Sequence, residues 1–432
     1  MGTFAIPLSG LQASSDALSV ISNNLANLNT DGYKDQSLTF GDVFANLQGT
    51  SGNGDPMQIG GGVLVQNTVS NFTNGGLDAT GQPSNMALQG NGFFVVSNNG
   101  QLNYTRDGDF SVSPTGQLVD ASGNLVMGYQ ANAAGQITAG GALAPITVNG
   151  TGTLAAKASA TFSTTTNLQS DSPAKTTFTT PLAVTDSLGE TQNLSITYTA
   201  SATPNTWNYS ISLPASALGT TGAPFPLTSG TMTFDSSGNL KSTTVTGGAG
   251  AVSVSGAGAG TPSAITGINI ANLADGAAPM SLTWNLNSAS GSPTITQQDQ
   301  ASASSTLNVD GFGAGTLKSF SVLSNGVVEG TFSNNQTLAL GQVAVGNFAN
   351  PEGLTQTNSG DFLATTASGA AVLGVAGAGG NGTITGGSVE LSNVNLSDDF
   401  ANMIVAQQNY EANAKALTTL DQVSQATIQL IS

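Results

Sequence analysis

The chain has 432 residues, no cysteine and no histidine, and only 7% of it is charged, with a net charge of −17. Without His and Cys there can be no Cys/His zinc site, thiol nucleophile, Ser-His-Asp triad or ordinary general base near neutral pH. The seven cations, Lys34, Arg106, Lys157, Lys175, Lys241, Lys318 and Lys415, are scattered, which excludes nucleic-acid binding by clustered Lys and Arg.

An average globular protein carries about 25% charged residues. The surface here must instead be built from Ser, Thr, Asn, Gln and Gly, as in fibrous and cell-surface proteins. The length allows roughly two to four domains.

The first cation is Lys34, and Met1–Ser9 lacks an unbroken apolar run, so no Sec-type signal is read here. No stretch approaches the ~18 apolar residues of a membrane helix. The expectation is no membrane insertion, and either a cytoplasmic location or export without a cleaved signal.

From Pro7 to Leu28 the apolar residues recur helically. Leu11, Leu18 and Leu25 stand seven apart, as do Ile21 and Leu28, offset by three. This is a heptad seam. Asn29-Thr30-Asp31-Gly32 then supplies helix-stopping turn chemistry. Asp16 is the only charge between Met1 and Thr30. A solvated helix normally carries a charged face, so this one is expected to pack on several sides against copies of itself.

Between about Leu38 and Leu391, short Val/Ile/Thr/Phe/Tyr runs alternate with glycine turns, the pattern of β structure. Asn99-Gly100-Gln101-Leu102, Thr115-Gly116-Gln117-Leu118, Ser122-Gly123-Asn124-Leu125 and Ser237-Gly238-Asn239-Leu240 share one hairpin-turn form. The stretch from about Gly150 to Gln300 is richest in Thr, Ser and Ala, and its Gly247–Gly260 segment reads as a flexible low-complexity loop. The predicted organisation is one β domain split by an inserted one.

The C-terminal segment is helical again. Phe400, Met403, Tyr410, Ala414, Leu417, Ile428 and Ile431 fall on one a/d register. Ser397 is the expected N-cap, with Asp398 and Asp399 in the first turn, where the helix dipole favours acids. The fold class is therefore a mainly β multi-domain core of nested β domains, with N- and C-terminal α-helices pairing as a coiled coil. The expected divisions are 1–30 (N-terminal helix), 31–70 (connecting segment), 71–150 (first part of a β domain), 151–300 (inserted β domain), 301–392 (return into the first β domain) and 393–432 (C-terminal helix).

Candidate chemistry is sparse. Gly256-Ala257-Gly258-Ala259-Gly260 and Gly311-Phe312-Gly313-Ala314-Gly315 lack the lysine of a P-loop and the Rossmann spacing. Asp107-Gly108-Asp109 and Asp186–Glu190 offer too few oxygens for calcium and read as Asx turns. Asp398 and Asp399 point about 100° apart on a helix, so they cannot flank one bond. The sequon Asn71-Phe72-Thr73 is a chance match in a chain this rich in Asn and Thr. No catalytic residue, metal or cofactor is expected.

The ends carry the most specific patterns. Ser9-Gly10-Leu11, Ile21-Ser22-Asn23-Asn24-Leu25-Ala26-Asn27 and Asp31-Gly32-Tyr33-Lys34 stand near the start; Ser392-Asn393-Val394-Asn395-Leu396 and Ala406-Gln407-Gln408-Asn409-Tyr410-Glu411-Ala412-Asn413-Ala414-Lys415 stand near the end. Together they resemble the paired terminal signatures of bacterial flagellar axial proteins of the rod and hook. Leu88–Val96 followed by Tyr104–Phe110 resembles a segment shared by rod and hook proteins. Val184-Thr185-Asp186-Ser187-Leu188-Gly189, with Asn205-Thr206-Trp207, resembles the inserted domain of hook proteins, and Gly341–Val345 through Asn350–Leu354 resembles the return into the first β domain.

The resemblance implies a structural subunit rather than an enzyme. Such a subunit is exported through the flagellar type III apparatus and polymerises into a curved, flexible tube that passes torque from rod to filament. The implied partners are further copies of the chain, the rod, the hook cap and the hook-filament junction proteins. The implied assembly interface comprises Leu11, Leu18, Ile21, Leu25, Leu28, Phe400, Met403, Tyr410, Leu417 and Ile428. A distal rod protein of the same family is the nearest alternative, and the inserted domain argues against it. A secreted β-rich adhesin or surface-layer protein would need a Sec signal or anchor, and an enzyme such as a polysaccharide lyase would need a charged cluster that the sequence lacks.

Overall fold

The computed structural model describes residues 4–43, 46–50, 56–148, 153–248, 252–255, 262–288 and 290–431. Two helices, α1 (Ala5–Ala26) and α2 (Leu396–Ile431), bracket a chain of short strands. The residues form two compact units, one of 1–150, 318–331 and 337–432, the other of 151–317 and 332–336.

In the first unit, α1 is followed by an antiparallel pair, Gln36–Asp42 with Val63–Ser70. The unit's main sheet is organised around Thr337–Asn347, the longest strand, which pairs with Val327–Phe332, Leu125–Gln130, Phe93–Asn98 and Val372–Val375. The run Phe93-Phe94-Val95-Val96 is continuously apolar because both faces of its strand are covered. Successive side chains point to opposite faces. Phe94 and Val96 join a core with Met86, Leu88, Phe110 and Val345, whereas Phe93 and Val95 join one with Tyr104, Phe348 and Phe362. Edge-to-face contacts of 4.7 to 5.8 Å between ring centroids link Phe72, Phe93, Tyr104, Phe348 and Phe362. The last strand, Ser388–Glu390, pairs with Leu77–Ala79 and delivers the chain to α2.

The second unit is a pair of sheets. Thr177–Thr185, Thr191–Ala200, Thr206–Leu213, Phe225–Phe234 and Leu240–Gly248 form a five-stranded antiparallel meander in sequence order. The other sheet runs Ser253–Ser255, Ala264–Ile270, Met280–Asn285, Thr161–Gln169, Ile295–Gln298, with Ala303–Val309 also on Thr161–Gln169. Burial alternates along Thr191–Ala200, and the inward residues Leu194, Ile196 and Tyr198 share a core with Trp207, Tyr209 and Trp284. The outward threonines pair hydroxyl to hydroxyl, Thr179 with Thr197 at 3.1 Å and Thr231 with Thr244 at 2.7 Å. The threonine richness of this stretch is thus the solvent side of a two-sheet stack.

Three expectations need correction or restriction. The segment 247–260 is not all loop, since Ser253–Ser255 is a strand paired with Ala264–Thr266; residues 249–251 and 256–261, including the Gly256–Gly260 motif, lie outside the described residues. The N-cap of α2 is Asn395, not Ser397: the Ser397 N–H donates to Asn395 Oδ1 at 3.1 Å, and Asn395 Nδ2 donates to Asp398 at 2.8 Å. Both residues suit a cap, and a position two earlier in the chain lets the helix use Ser397 as an ordinary first-turn residue. The seam between the helices also differs, as described next. The four shared turns do hold glycine at positive φ, from 79° at Gly238 to 90° at Gly100.

Candidate assembly site: a helix pair on a buried charge cluster

Helix α1 has no charged outer face, and three of its serine hydroxyls bond back to its own backbone. Ser9 donates to the Ile6 carbonyl, Ser14 to Gly10 and Ser22 to Leu18. In α2, Thr418 and Thr419 both donate to the Lys415 carbonyl and Thr427 to Val423. Each hydroxyl used in this way presents methylene or methyl surface outward instead of a donor.

The two helices pack side by side, and their closest approach is through small residues. A Cβ on Gly10 would lie 2.8 Å from the Asn413 side chain. Ala13 and Ser14 of α1 and Ala406 of α2 are buried. A groove beside this line is bordered by Ala17, Ile21, Phe40, Val63, Asn402 and Val405. The predicted heptad residues flank this line. Leu11, Leu18, Ile21, Leu25, Leu28, Met403, Ala414 and Leu417 are half-buried, whereas Phe400, Tyr410 and Ile428 are exposed, Ile428 by 64%. The side chain of Ile431 lies outside the described residues. The physical reason is backbone distance: helix separation is set by the side chains at the contact, and Gly and Ala permit an approach that a leucine seam would prevent. The largest apolar side chains of α2, joined by Ile404, Val405 and Val423, are left facing outward.

Where the helices meet the β structure, two cations and one acid are buried together. Lys34 Nζ lies 2.7 Å from Glu390 Oε1, and Arg106 Nη1 lies 3.4 Å from Glu390 Oε2. All three side chains are at most 2% exposed. Further donors are directed at carbonyls, Lys34 Nζ at Thr73 at 2.8 Å and the Arg106 Nη atoms at Leu88 at 3.2 Å and Gly90 at 2.7 Å, whereas Arg106 Nε is buried without a partner. Glu390 accepts a further hydrogen bond from the Gly75 N–H at 2.9 Å. The Arg106 guanidinium carbon sits 5.3 Å above the Phe93 ring, a cation–π arrangement. Burial pulls both Lys34 and Arg106 down from their ordinary pKa values, and Glu390 opposes the shift. Buried ion pairs contribute little net stability, but they fix register, since each charge tolerates only one partner geometry.

The backbone around the cluster is equally constrained. Gly32 has φ +68°, its N–H donates to the Glu390 carbonyl at 2.6 Å, and a Cβ there would meet the Asp107 nitrogen at 2.4 Å. Asn393 bridges the two chain ends: its Oδ1 accepts from the Asp35 N–H at 2.7 Å and its Nδ2 donates to the Asn71 carbonyl at 2.8 Å. The segment that leaves α1 and the one that enters α2 are therefore fastened to the same few residues.

The other candidates resolve as structure. Asp107 accepts from the Asp109 N–H at 2.9 Å, and Asp186 from those of Leu188 at 2.9 Å and Glu190 at 3.0 Å, so both segments are Asx turns. Burial, then the charges of Asp31, Asp109 and Asp120, push Asp107 up to about 6, against a lowering by the Asp109 hydrogen bond. Gly311–Gly315 is a packed turn, with Phe312 bonded to Lys157 through both backbone groups. Among the described residues no three His, Cys, Asp or Glu side chains are grouped to hold a metal, and no helix is long and apolar enough to cross a membrane. Sequence reasoning missed Glu390. Its signal was a lone acid in a chain with few charges, directly ahead of the Ser392–Leu396 pattern.

Comparisons with known proteins match the chain segment by segment. Residues 6–34 match the family of flagella basal body rod proteins, 87–156 the flagellar hook protein FlgE/F/G D1 domain, 149–312 the flagellar basal body protein FlaE D2 domain, and 385–430 the flagellar basal body rod FlgEFG protein C-terminal region. The flagellar hook protein FlgE of Salmonella typhimurium is 34% identical over 99% of this chain and 100% of its own. That of Escherichia coli K12 is 32% identical over 99% of both, and that of Treponema pallidum 29% over 98% of both. The crystal structure of Helicobacter pylori flagellar hook protein FlgE2 shares the fold at TM-score 0.50 and 14% identity, covering 71% of this chain and 98% of that one. With both helical ends and the β segments between them matched in order, and relatives aligned from end to end, the chain belongs to the flagellar hook protein FlgE family.

Proposed function

We propose that the chain is the structural subunit of the bacterial flagellar hook and works by polymerising into a curved, flexible tube. The observation that carries this is the helix pair: both chain ends are clamped at one buried charge cluster, and α2 leaves Phe400, Ile404, Tyr410, Val423 and Ile428 exposed among the described residues. A long helix with such a face needs neighbours, and further copies of the chain supply them. In this reading residues 1–30 and 393–432 line the inner tube and 31–70 connect. Residues 71–150, 318–331 and 337–392 form the inner β layer, and 151–317 with 332–336 the outer one. Leu11, Leu18, Ile21, Leu25, Leu28, Phe400, Met403, Tyr410, Leu417 and Ile428 contribute to contacts between copies. The subunit leaves the cell through the flagellar type III apparatus, sits between rod and filament, and meets the rod, the hook cap and the hook-filament junction proteins. End-to-end similarity to hook proteins supports this over a distal rod role. Electron microscopy of the concentrated protein tests it: tubes are expected, and particles that stay monomeric under all polymerising conditions would overturn it.

A further inference from the structure

Five Asn-Gly pairs lie among the described residues, and the fold treats one of them differently; Asn53-Gly54 and Asn149-Gly150 lie outside those residues. In such a pair the glycine nitrogen can attack the asparagine side-chain carbonyl, because glycine has no Cβ to shield it. The attack needs an N–H that water reaches and a backbone free to bend into a succinimide ring. Four pairs are held back. The Gly75 N–H donates to Glu390 Oε1 at 2.9 Å, and the Asn74 amide is fixed by the Leu88 carbonyl at 2.9 Å and the Gly90 N–H at 3.1 Å. The Gly326 N–H donates to the Leu323 carbonyl at 2.8 Å, and the Gly382 N–H to the Asn91 carbonyl at 2.7 Å. Gly92 is buried, and a Cβ there would lie 2.5 Å from Val345.

Asn99-Gly100 has none of these restraints. It is the two-residue loop between the strands Phe93–Asn98 and Gln101–Thr105, closed by the pairing of Asn98 with Gln101. Both residues have positive φ, 51° and 90°, as a tight hairpin loop requires. Both are exposed, the Gly100 N–H has no hydrogen-bond partner among the described residues, and a Cβ on Gly100 would meet nothing within 4 Å. The Asn99 side chain makes one hydrogen bond, from Nδ2 to Asn98 Oδ1 at 2.9 Å. A loop tip held so lightly opens at little cost.

We propose that the fold leaves Asn99-Gly100 as the preferred site of spontaneous deamidation among these pairs, with water as co-reactant and isoaspartate as the main product. Hydroxide takes the Gly100 N–H proton, the nitrogen bonds to Asn99 Cγ, and the Cγ–Nδ2 bond breaks to release ammonia. Water then opens the ring. Addition at Cγ gives an ordinary aspartate, and addition at the backbone carbonyl of residue 99 leaves the chain running through the side chain. Either product adds a negative charge to a chain already at −17. Isoaspartate also lengthens the loop by one methylene, which a two-residue loop of fixed register does not absorb, so the Asn98–Gln101 pairing is expected to open.

Peptide mapping by mass spectrometry of the full-length subunit, held in mildly alkaline heavy-oxygen water, tests this. Conversion at Asn99 is expected to run about tenfold or more ahead of Asn74, Asn91, Asn325 and Asn381. Its product is expected to be chiefly isoaspartate, read by labelled methylation with an isoaspartate-specific methyltransferase. In guanidinium-unfolded protein all five sites share an open chain, and the lead of Asn99 should collapse. Asn99→Gln, which keeps the amide but would need a larger ring, is expected to abolish conversion at the loop and leave the other four rates unchanged. Conversion at Asn99 no faster than at the other four in folded protein, a lead undiminished by unfolding, aspartate without isoaspartate, or undiminished conversion in Asn99→Gln would each overturn the proposal.

Discussion

Glu390→Gln is the most informative perturbation of the charge cluster. The substitution preserves volume and one carbonyl oxygen, so the Gly75 N–H at 2.9 Å and Lys34 at 2.7 Å keep an acceptor. It places an amide NH2 where Oε2 meets Arg106, donor against donor, and leaves two cations in a site that is at most 2% exposed. Breaking a buried ion pair in this way costs about 3–5 kcal/mol, because an uncompensated charge remains. At about 2–4 °C per kcal/mol for a domain of this size, the melting transition of the first unit is expected to fall by roughly 10 °C, with the second unit's transition unmoved. Differential scanning calorimetry of the full chain reads both. Lys34→Met combined with Glu390→Gln should be less destabilising than the sum of the single changes, since it removes one of the stranded cations. A fall of less than about 2 °C for Glu390→Gln, or strict additivity in the double variant, would refute the view that charge pairing holds the two chain ends in register.

Four further outcomes are expected. Asp107→Asn keeps the acceptor for Asp109 and should stabilise the protein at neutral pH. The wild-type Asp107 penalty is fully present above its folded pKa of about 6 and is relieved as pH falls toward the ordinary carboxyl value of 3.8, so the variant should flatten stability over that window by roughly 2–3 kcal/mol, measured by urea titration. Gly32→Ala, strained in φ and in contact with the Asp107 backbone, should cost more than about 1–3 kcal/mol and expose α1 to protease; wild-type resistance would count against it. Asn395→Ala should cost about 1 kcal/mol and speed exchange in the first turn of α2 only. A fragment of residues 151–317 should fold cooperatively by circular dichroism, because its Trp284-centred core draws only on residues 162–309; an unfolded fragment would contradict this.

The helices, the hairpin turns and the β-rich middle could be read in the sequence because each leaves a local periodic mark. The line of contact between the helices could not. Heptad reasoning weights the largest apolar residues, whereas Gly10, Ala13 and Ala406 act by what they lack. Glu390 was hidden for a different reason: its partner Lys34 is 356 residues away, and no spacing rule connects them. The cap of α2 was placed two residues late because Asn395 and Ser397 both suit the position, and only backbone geometry selects between them. The alternation within Phe93–Val96 was masked by burial on both faces, which makes a strand look uniformly apolar.

Both helices join the β structure of the first unit through the same few residues, and this bears on how force travels through it. Pulling on either helix loads the same short region, the antiparallel pair Leu77–Ala79 with Ser388–Glu390 and the contacts of Lys34, Asn393 and Gly32. Strain applied through one terminus is therefore felt at the anchorage of the other, and neither helix can be peeled away without disturbing its partner's footing. A subunit wired in this way behaves under tension as a single two-ply tether with one mechanical fuse, whose rupture force should be the same whichever end is pulled.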